Sequence, residues 1–351
     1  MLKFSQMGVK NLGDLFQGTV ITLDELSHKK LAIDAYNIIY QFLASIRGYD
    51  GSLLTYGSNT ITSHLAGLLY RNARLLEKGL LLVYVFDGEP SKLKKEELRR
   101  RAKLRAQARE ELEEALEIGD YERARMVAQR TSVLTKDMVE DSKRLLQYLG
   151  IPVIEAPQEG EAQAAHLAKQ KKVWAVASQD FDSLLFGSPI LVRNLTLSGR
   201  RKLPRSNRYI TVNIEVFKLN ELLHSLELTR EQLVDMAILM GTDFNPEGIK
   251  GVGPKTAYKL IKKYGRLEEI LKNEPNIQLD VDYEEIRKIF LNPVITEDYE
   301  LKFGSIDKEA VIEFLCEERG FNKERVINAL NRAIKGQKAS LSQKSLDAFF
   351  G

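Results

Sequence analysis

Over its first two hundred residues the chain alternates unbroken apolar runs with stretches in which apolar residues recur every three or four positions. The runs at 31–33 (LAI), 80–86 (LLLVYVF), 153–154 (VI), 173–177 (VWAVA) and 190–192 (ILV) read as strands buried on both faces. The amphipathic stretches near 35–46, 62–78, 135–149 and 161–170 read as helices. This alternation predicts an α/β fold whose mainly parallel central sheet is flanked by helices. Beyond about residue 215 the strand pattern stops, and helices are expected at 215–226, 230–240, 254–264, 284–291, 307–316 and 322–334.

Residues 92–118 interrupt the alternation. They contain no Gly or Pro and are rich in Glu, Lys, Arg, Ala and Leu, so a helix is expected, broken at Gly119-Asp120 and resumed to about Arg130. Its apolar stripe is thin, as for a helix that bridges solvent or meets a charged partner. The expected organisation is one domain over 1–335. Its core comes from 8–91 and 131–228, its helical insertion is 92–130, and its C-terminal helical part is 229–335. The polar stretch 336–351 is expected to be a flexible tail.

With 351 residues, 44% hydrophobic and 29% charged, the chain suits a soluble globular protein. The longest apolar run, Leu80 to Phe86, is too short to span a bilayer, and the N-terminus has no apolar stretch of signal-peptide length; an intracellular protein is expected. Cys316 is the only cysteine, and the histidines at 28, 64, 166 and 224 never fall at a ligand spacing. A catalytic metal would therefore be held mainly by carboxylates, which favours a hard ion such as Mg²⁺ or Mn²⁺. The net charge is only +3, but residues 92–109 carry nine Lys/Arg against Glu96 and Glu97, a local +7. Residues 193–208 add six more Lys/Arg and no acid. Two such blocks point to a polyanion.

The acids fall at telling positions. Asp34 follows LAI, Asp87 follows VYVF, Glu159 and Glu161 follow the strand at 153–154, and Asp180 and Asp182 follow VWAVAS. In a parallel sheet the C-terminal strand ends share one edge, so these six carboxylates would converge there. Singly, each reads as a cap, a turn or a helix-dipole acid. Together they would repel unless cations lay among them, and two divalent ions would serve phosphoryl transfer. A second signal is GTDFNPEGIKGVGPKTA (241–257), where Gly251 and Gly253 precede a helix that opens with Pro254-Lys255. Glycines before a helix N-terminus let backbone N–H groups approach a phosphate, the manner of a helix–hairpin–helix that grips a duplex without reading its sequence.

The motifs AIDAYNIIYQFL (32–43), TSHLAGLLYR (62–71), VYVFDGEPSKLK (83–94), GIPVIEAPQEGEAQAAHLA (150–168), ASQDFDSLLFGSP (177–189) and LMGTDFNPEGIKGVGPKTA (239–257) run in order across most of the chain. Together they resemble the flap endonucleases of the structure-specific 5′-nuclease family, the archaeal and eukaryotic group above all. The resemblance implies a PIN-like nuclease core. It implies a Mg²⁺-dependent endonuclease, with possible 5′–3′ exonuclease activity, that cuts branched DNA near the base of 5′ flaps in Okazaki-fragment processing and long-patch repair. Two Mg²⁺ ions, replaceable by Mn²⁺, would be held by Asp34, Asp87, Glu159 and Glu161 around one and by Asp180, Asp182 and Asp243 nearer the other. Lys94 and Arg101 match residues that contact the scissile phosphate, and Tyr40 and Arg47 match residues that handle the DNA junction. The insertion corresponds to a helical arch. Gly251, Gly253 and Lys255 match a helix–two-turn–helix that holds duplex with a monovalent cation. The tail Gln343-x-x-Leu346-x-x-Phe349-Phe350 fits the peptide by which replication proteins dock on the sliding clamp PCNA. Relatives begin at a Met-Gly matching Met7-Gly8, so Met7 is expected to be the functional start. A monomer is expected, in the cytoplasm or nucleoid of an archaeon or the nucleus of a eukaryote. The alternatives are a clamp-tethered DNA-binding protein without catalysis and a related 5′-nuclease preferring gaps or four-way junctions.

Overall fold

The computed structural model describes residues 12–48, 51–57, 60–202 and 209–350, with the side chains of 14, 96, 125, 200–202 and 341–350 outside the description. The Met7-Gly8 start and the end of the second basic block lie outside it too. In chain order the elements begin with β1 (Thr19–Ile21), β2 (Lys30–Asp34), α1 (Ala35–Ser45), β3 (Thr55–Tyr56), β4 (Thr60–Ile61) and α2 (Ser63–Glu77). There follow β5 (Leu81–Phe86), α3 (Lys92–Glu117), α4 (Tyr121–Ala128), α5 (Lys136–Tyr148), β6 (Val153–Glu155) and α6 (Gly160–Lys169). Next come β7 (Ala175–Ala177), α7 (Asp182–Leu185), β8 (Ile190–Arg193), β9 (Gly199–Lys202), β10 (Tyr209–Val212) and β11 (Ile214–Lys218). The rest is helical: α8 (Leu219–Leu226), α9 (Arg230–Met240), α10 (Pro254–Tyr264), α11 (Leu267–Asn273), α12 (Tyr283–Leu291), α13 (Lys308–Ile312) and α14 (Lys323–Phe350).

A seven-stranded sheet runs in the order β1-β11-β8-β7-β2-β5-β6, mixed but mostly parallel and flanked by helices. β7 lies parallel to β8, with Val176 opposite Leu191, whereas β11 is antiparallel to both β8 and β1. Between β5 and β6 the Tyr84 N–H donates to the Pro152 carbonyl and the Ala156 N–H to that of Phe86, the even stagger of a parallel pair. Each of the five apolar runs contains a strand, as continuous hydrophobicity predicts, but Leu80 precedes β5 and Val173 and Trp174 precede β7. At 215–226 the expectation needs correcting. Ile214–Lys218 is a strand, because Val216 and Phe217 pair with β8 and bury their side chains; the helix begins only at Leu219.

Contacts divide the chain into two compact units made of interleaved segments, residues 1–22, 85–99 and 155–297 in one and 23–84, 100–154 and 298–351 in the other. In the first, α9 is buried through Leu233–Leu239, and Phe186 and Phe244 pack on Phe290 at centroid distances of 4.9 and 5.4 Å. The buried Asp235 of α9 accepts from Arg287 Nε at 2.7 Å and from the Leu267 N–H at 3.1 Å, so its charge ties α11 and α12 to α9.

In the second unit α14 packs along α2. Residues from 336 on, where a flexible tail is expected, lie on α14, which runs to Phe350. Gly336 allows the close approach, because a Cβ there would meet the Leu76 carbonyl oxygen at 2.1 Å. The Gln337 amide donates to the Gly304 carbonyl at 3.0 Å and accepts from the Ile306 N–H at 3.1 Å, while Ser340 Oγ donates to the Gly79 carbonyl at 2.8 Å. The polar residues that look solvated in sequence satisfy backbone groups at the packed face. Among the described residues no helix is long and apolar enough to cross a membrane.

His64 is fully buried in α2, and neither ring nitrogen has a hydrogen-bond partner among the described residues. Burial lowers its pKa to about 4, with Asp141 opposing the shift and Arg319 adding to it. The native state thus favours the neutral ring, and the unfolded chain takes up the proton first as pH falls below the ordinary 6.5. Stability should be full above that pH and fall by on the order of 3 kcal/mol as it drops toward 4. Urea unfolding at pH 7.5 and 5 should show the loss in the parent and a smaller one in His64→Leu.

Candidate active site

In the first unit the loops after β5 and β6 are locked together by backbone bonds. The Gly88 N–H donates to the Gln158 carbonyl at 2.7 Å and the Glu89 N–H to that of Pro157 at 3.2 Å. A Cβ on Gly88 would come within 2.1 Å of the Ala156 oxygen, so only glycine lets these two loops meet. Their junction fixes Asp87 and Glu159 side by side. Asp87 Oδ1 accepts the Gly160 N–H at 2.7 Å, at the N-terminus of α6, where the helix dipole favours a negative group. Gly160 is required as well, since its Cβ would strike that same oxygen at 2.7 Å.

Lys94, in the first turn of α3, brings its ammonium onto Glu159 Oε2 and within 4.0 Å of Asp87 Oδ2. Burial by itself would lower its pKa, but the charges of Asp87, Glu159 and Asp243 outweigh that and raise it well above the ordinary lysine value. Burial also pushes up the Glu159 carboxyl; Lys94 opposes the rise, while Asp87 and Asp243 reinforce it. Three carboxylate charges therefore act on one buried ammonium. Asp243 is held by a buried turn in which Thr242 Oγ1 donates to Asn245 Oδ1 at 2.7 Å and the Asn245 amide donates to the Ile238 carbonyl at 2.7 Å.

Glu161 lies half-buried in the first turn of α6. Asp180 and Asp182 are buried after β7, with the Asp180 N–H donating to Ser178 Oγ at 3.2 Å and Asp182 opening α7. Beside them is Arg193, a residue the sequence reading passes over as one more basic-block charge. Its Nε donates to the Gln179 carbonyl at 3.0 Å, and its guanidinium lies 4.4 Å from the Phe181 ring centroid. Burial lowers the Arg193 pKa, with Glu215 and Asp180 acting against that shift. Nothing in the local sequence marks it, because its partners arrive from another strand.

The second unit holds the remaining candidates. Asp34 ends β2 and caps α1, its Oδ1 accepting the Asn37 N–H at 3.1 Å. Tyr40 is half-buried on α1. Arg47 is engaged locally, donating to the Gly51 carbonyl at 2.8 Å and to Ser132 Oγ at 2.6 Å, and burial lowers its pKa. Arg101 follows Lys94 by seven residues of α3, which at 3.6 residues per turn places both on one face of the helix.

Back in the first unit, Gly251 has φ of +83°, and Gly253 caps α10 ahead of Pro254. A Cβ on either glycine would meet nothing within 4 Å, so the approach to this helix N-terminus is open, and Lys255 beside it is exposed. Gln343, Leu346, Phe349 and Phe350 fall on the last turns of α14, and their side chains lie outside the description.

Among the described residues no three His, Cys, Asp or Glu groups converge as ligands of one ion. The donor set nevertheless fits a hard divalent cation. It is carboxylate throughout, and the Lys94 ammonium stands in as the positive charge on which three of its members act. Removing that ammonium tests the reading. Lys94→Met should cost about 3 kcal/mol of stability in EDTA by leaving buried acids uncompensated, and millimolar Ca²⁺ should restore most of it, as read by urea unfolding.

The chain matches the XPG N-terminal domain over residues 7–108 and the XPG I-region over 150–243. It is 51% identical to flap endonuclease 1 of Ignicoccus hospitalis, over 98% of this chain and 99% of that one. The structure of flap endonuclease-1 from Methanococcus jannaschii superposes with a TM-score of 0.75 at 41% identity, covering 95% of this chain and 99% of that one. The catalytic core of Rad2 in complex with a DNA substrate gives a TM-score of 0.71 at 26% identity, covering 93% and 100%.

Proposed function

The chain belongs to the flap endonuclease family, and on that footing we propose that it is a nuclease cutting branched DNA near the base of 5′ single-stranded flaps. The observation that carries the reading is the meeting of Asp87, Glu159 and Asp243 on Lys94, an acidic trench that a pure DNA binder has no use for. Asp87, Glu159, Glu161, Asp180, Asp182 and Asp243 would hold two Mg²⁺ ions. By the family resemblance Asp34, at the end of β2, would be a further ligand. When bound, such ions supply Lewis acidity and activated water for phosphodiester hydrolysis.

The chain's own residues have separate tasks. Lys94 and Arg101, on one face of α3, offset the charge that builds on the scissile phosphate, so Lys94 must exchange its hold on Glu159 for the substrate. Cleavage breaks the P–O3′ bond and leaves a 5′-phosphate and a 3′-hydroxyl. The open N-terminus of α10, with Lys255, grips the downstream duplex through its phosphates, with a monovalent cation among the loop carbonyls. Tyr40 and Arg47 handle the junction. Gln343, Leu346, Phe349 and Phe350 dock on the sliding clamp, and the protein acts as a monomer in Okazaki-fragment processing and long-patch repair.

Asp87→Asn and Asp182→Asn should each lower single-turnover flap cleavage at least about a thousandfold while leaving flap affinity in Ca²⁺ equal or tighter. Near-parental cleavage by both would refute the reading. Phe349→Ala/Phe350→Ala should abolish calorimetric binding to the purified clamp and leave clamp-free cleavage unchanged; undiminished binding would refute the docking role.

A further inference from the structure

The charge on α3 is segregated. Residues 92–109 carry +7, whereas residues 110–122 contain Glu110, Glu111, Glu113, Glu114, Glu117, Asp120 and Glu122 and no Lys or Arg at all, a local −7. α4 and the turn after it return Arg123, Arg125 and Arg130; Arg130 pairs with Glu111, and Arg123 lies 3.8 Å from Glu114. Asp120 caps α4 by accepting the Arg123 N–H at 3.0 Å. Glu110, Glu113 and Glu117 are exposed and form no ion pair among the described residues.

This order opposes what a helix by itself prefers. The macrodipole favours acids in the first turn and bases in the last, yet the first turn of α3 has no acid and its last turn no base. Nor is the charge interspersed in the way that serves solubility alone. At 1.5 Å per residue the 26-residue helix is about 39 Å long. The centres of its two blocks lie about 20 Å apart along it, beyond the Debye length of about 8–10 Å in physiological salt, so they do not cancel.

We propose that the acidic end of α3 and the turn into α4 form a repulsive element that confines DNA phosphates to the basic half of the helix. Its role is selectivity. A duplex, with one charge per about 1.7 Å, cannot lie along α3 without meeting the acidic half, whereas a short single strand can engage the basic half alone. The inference rests on the flap-endonuclease reading above.

The test neutralises the three unpaired glutamates together, as Glu110→Gln/Glu113→Gln/Glu117→Gln, in the full-length protein with Ca²⁺. Fluorescence anisotropy measures affinity for a blunt duplex and for a 5′-flap substrate at 50 and 300 mM NaCl. The variant should bind duplex about tenfold more tightly at the lower salt and less than about twofold at the higher, with flap affinity changed by less than about threefold. A charge-matched control, Glu309→Gln/Glu313→Gln/Glu324→Gln, alters exposed acids outside α3 and should change duplex binding by less than about twofold. Unchanged duplex affinity in the α3 variant would overturn the proposal, as would an equal gain in the control or a loss of flap affinity. Absence of flap preference in the parent would count against the flap reading alone, because the duplex comparison is read independently.

Discussion

A group of carboxylates has to be held together without flying apart, and much of the first unit is arranged around that demand. Asp87, Glu159 and Asp243 are brought within electrostatic reach of one another in a partly buried place, where their mutual repulsion is poorly screened. Two features offset it. The Gly160 N–H at the start of α6 donates to Asp87, and the Lys94 ammonium settles on Glu159. Together they compensate the acids: the N-terminus of α6 favours the charge of Asp87, and the Lys94 ammonium neutralises the carboxylates around it.

The support of this site is mostly backbone. A Cβ on Gly88 would come within 2.1 Å of the Ala156 carbonyl oxygen and one on Gly160 within 2.7 Å of Asp87 Oδ1, so the glycines let the loops after β5 and β6 meet. The Thr242–Asn245 turn holds Asp243 through buried hydrogen bonds, and Arg193, stacked on Phe181, fixes the carbonyl next to Asp180. These groups set where the carboxylates lie, and a catalytic group misplaced by an ångström loses much of its effect.

Polar residues outside the site serve two different ends. On α3 most of them remain exposed and divide by sign, which gives a single helix two electrostatic characters. On α14 Gln337 and Ser340 face inward and satisfy the backbone carbonyls of Gly304 and Gly79, while Gly336 lets the helix close on Leu76. α3 is far more densely charged than α14, and the less charged helix is the one that packs.

The chain alone determined the strands at 31–33, 80–86 and 190–192, the helix that starts at Lys92, and the acids at strand ends, because hydrophobic period and element boundaries are local properties. It also carried the family motifs, since these lie in contiguous runs. Tertiary structure decided what depends on distant partners. Ile214–Lys218 became a strand by pairing with β8, residues 336–340 became part of a docked helix, and Arg193 met the turn of Asp180 from another strand. It decided, too, that Lys94 lies on Glu159, 65 residues away along the chain. Spacing reveals which side chains share a face of one element, but which faces meet is settled only when the elements pack.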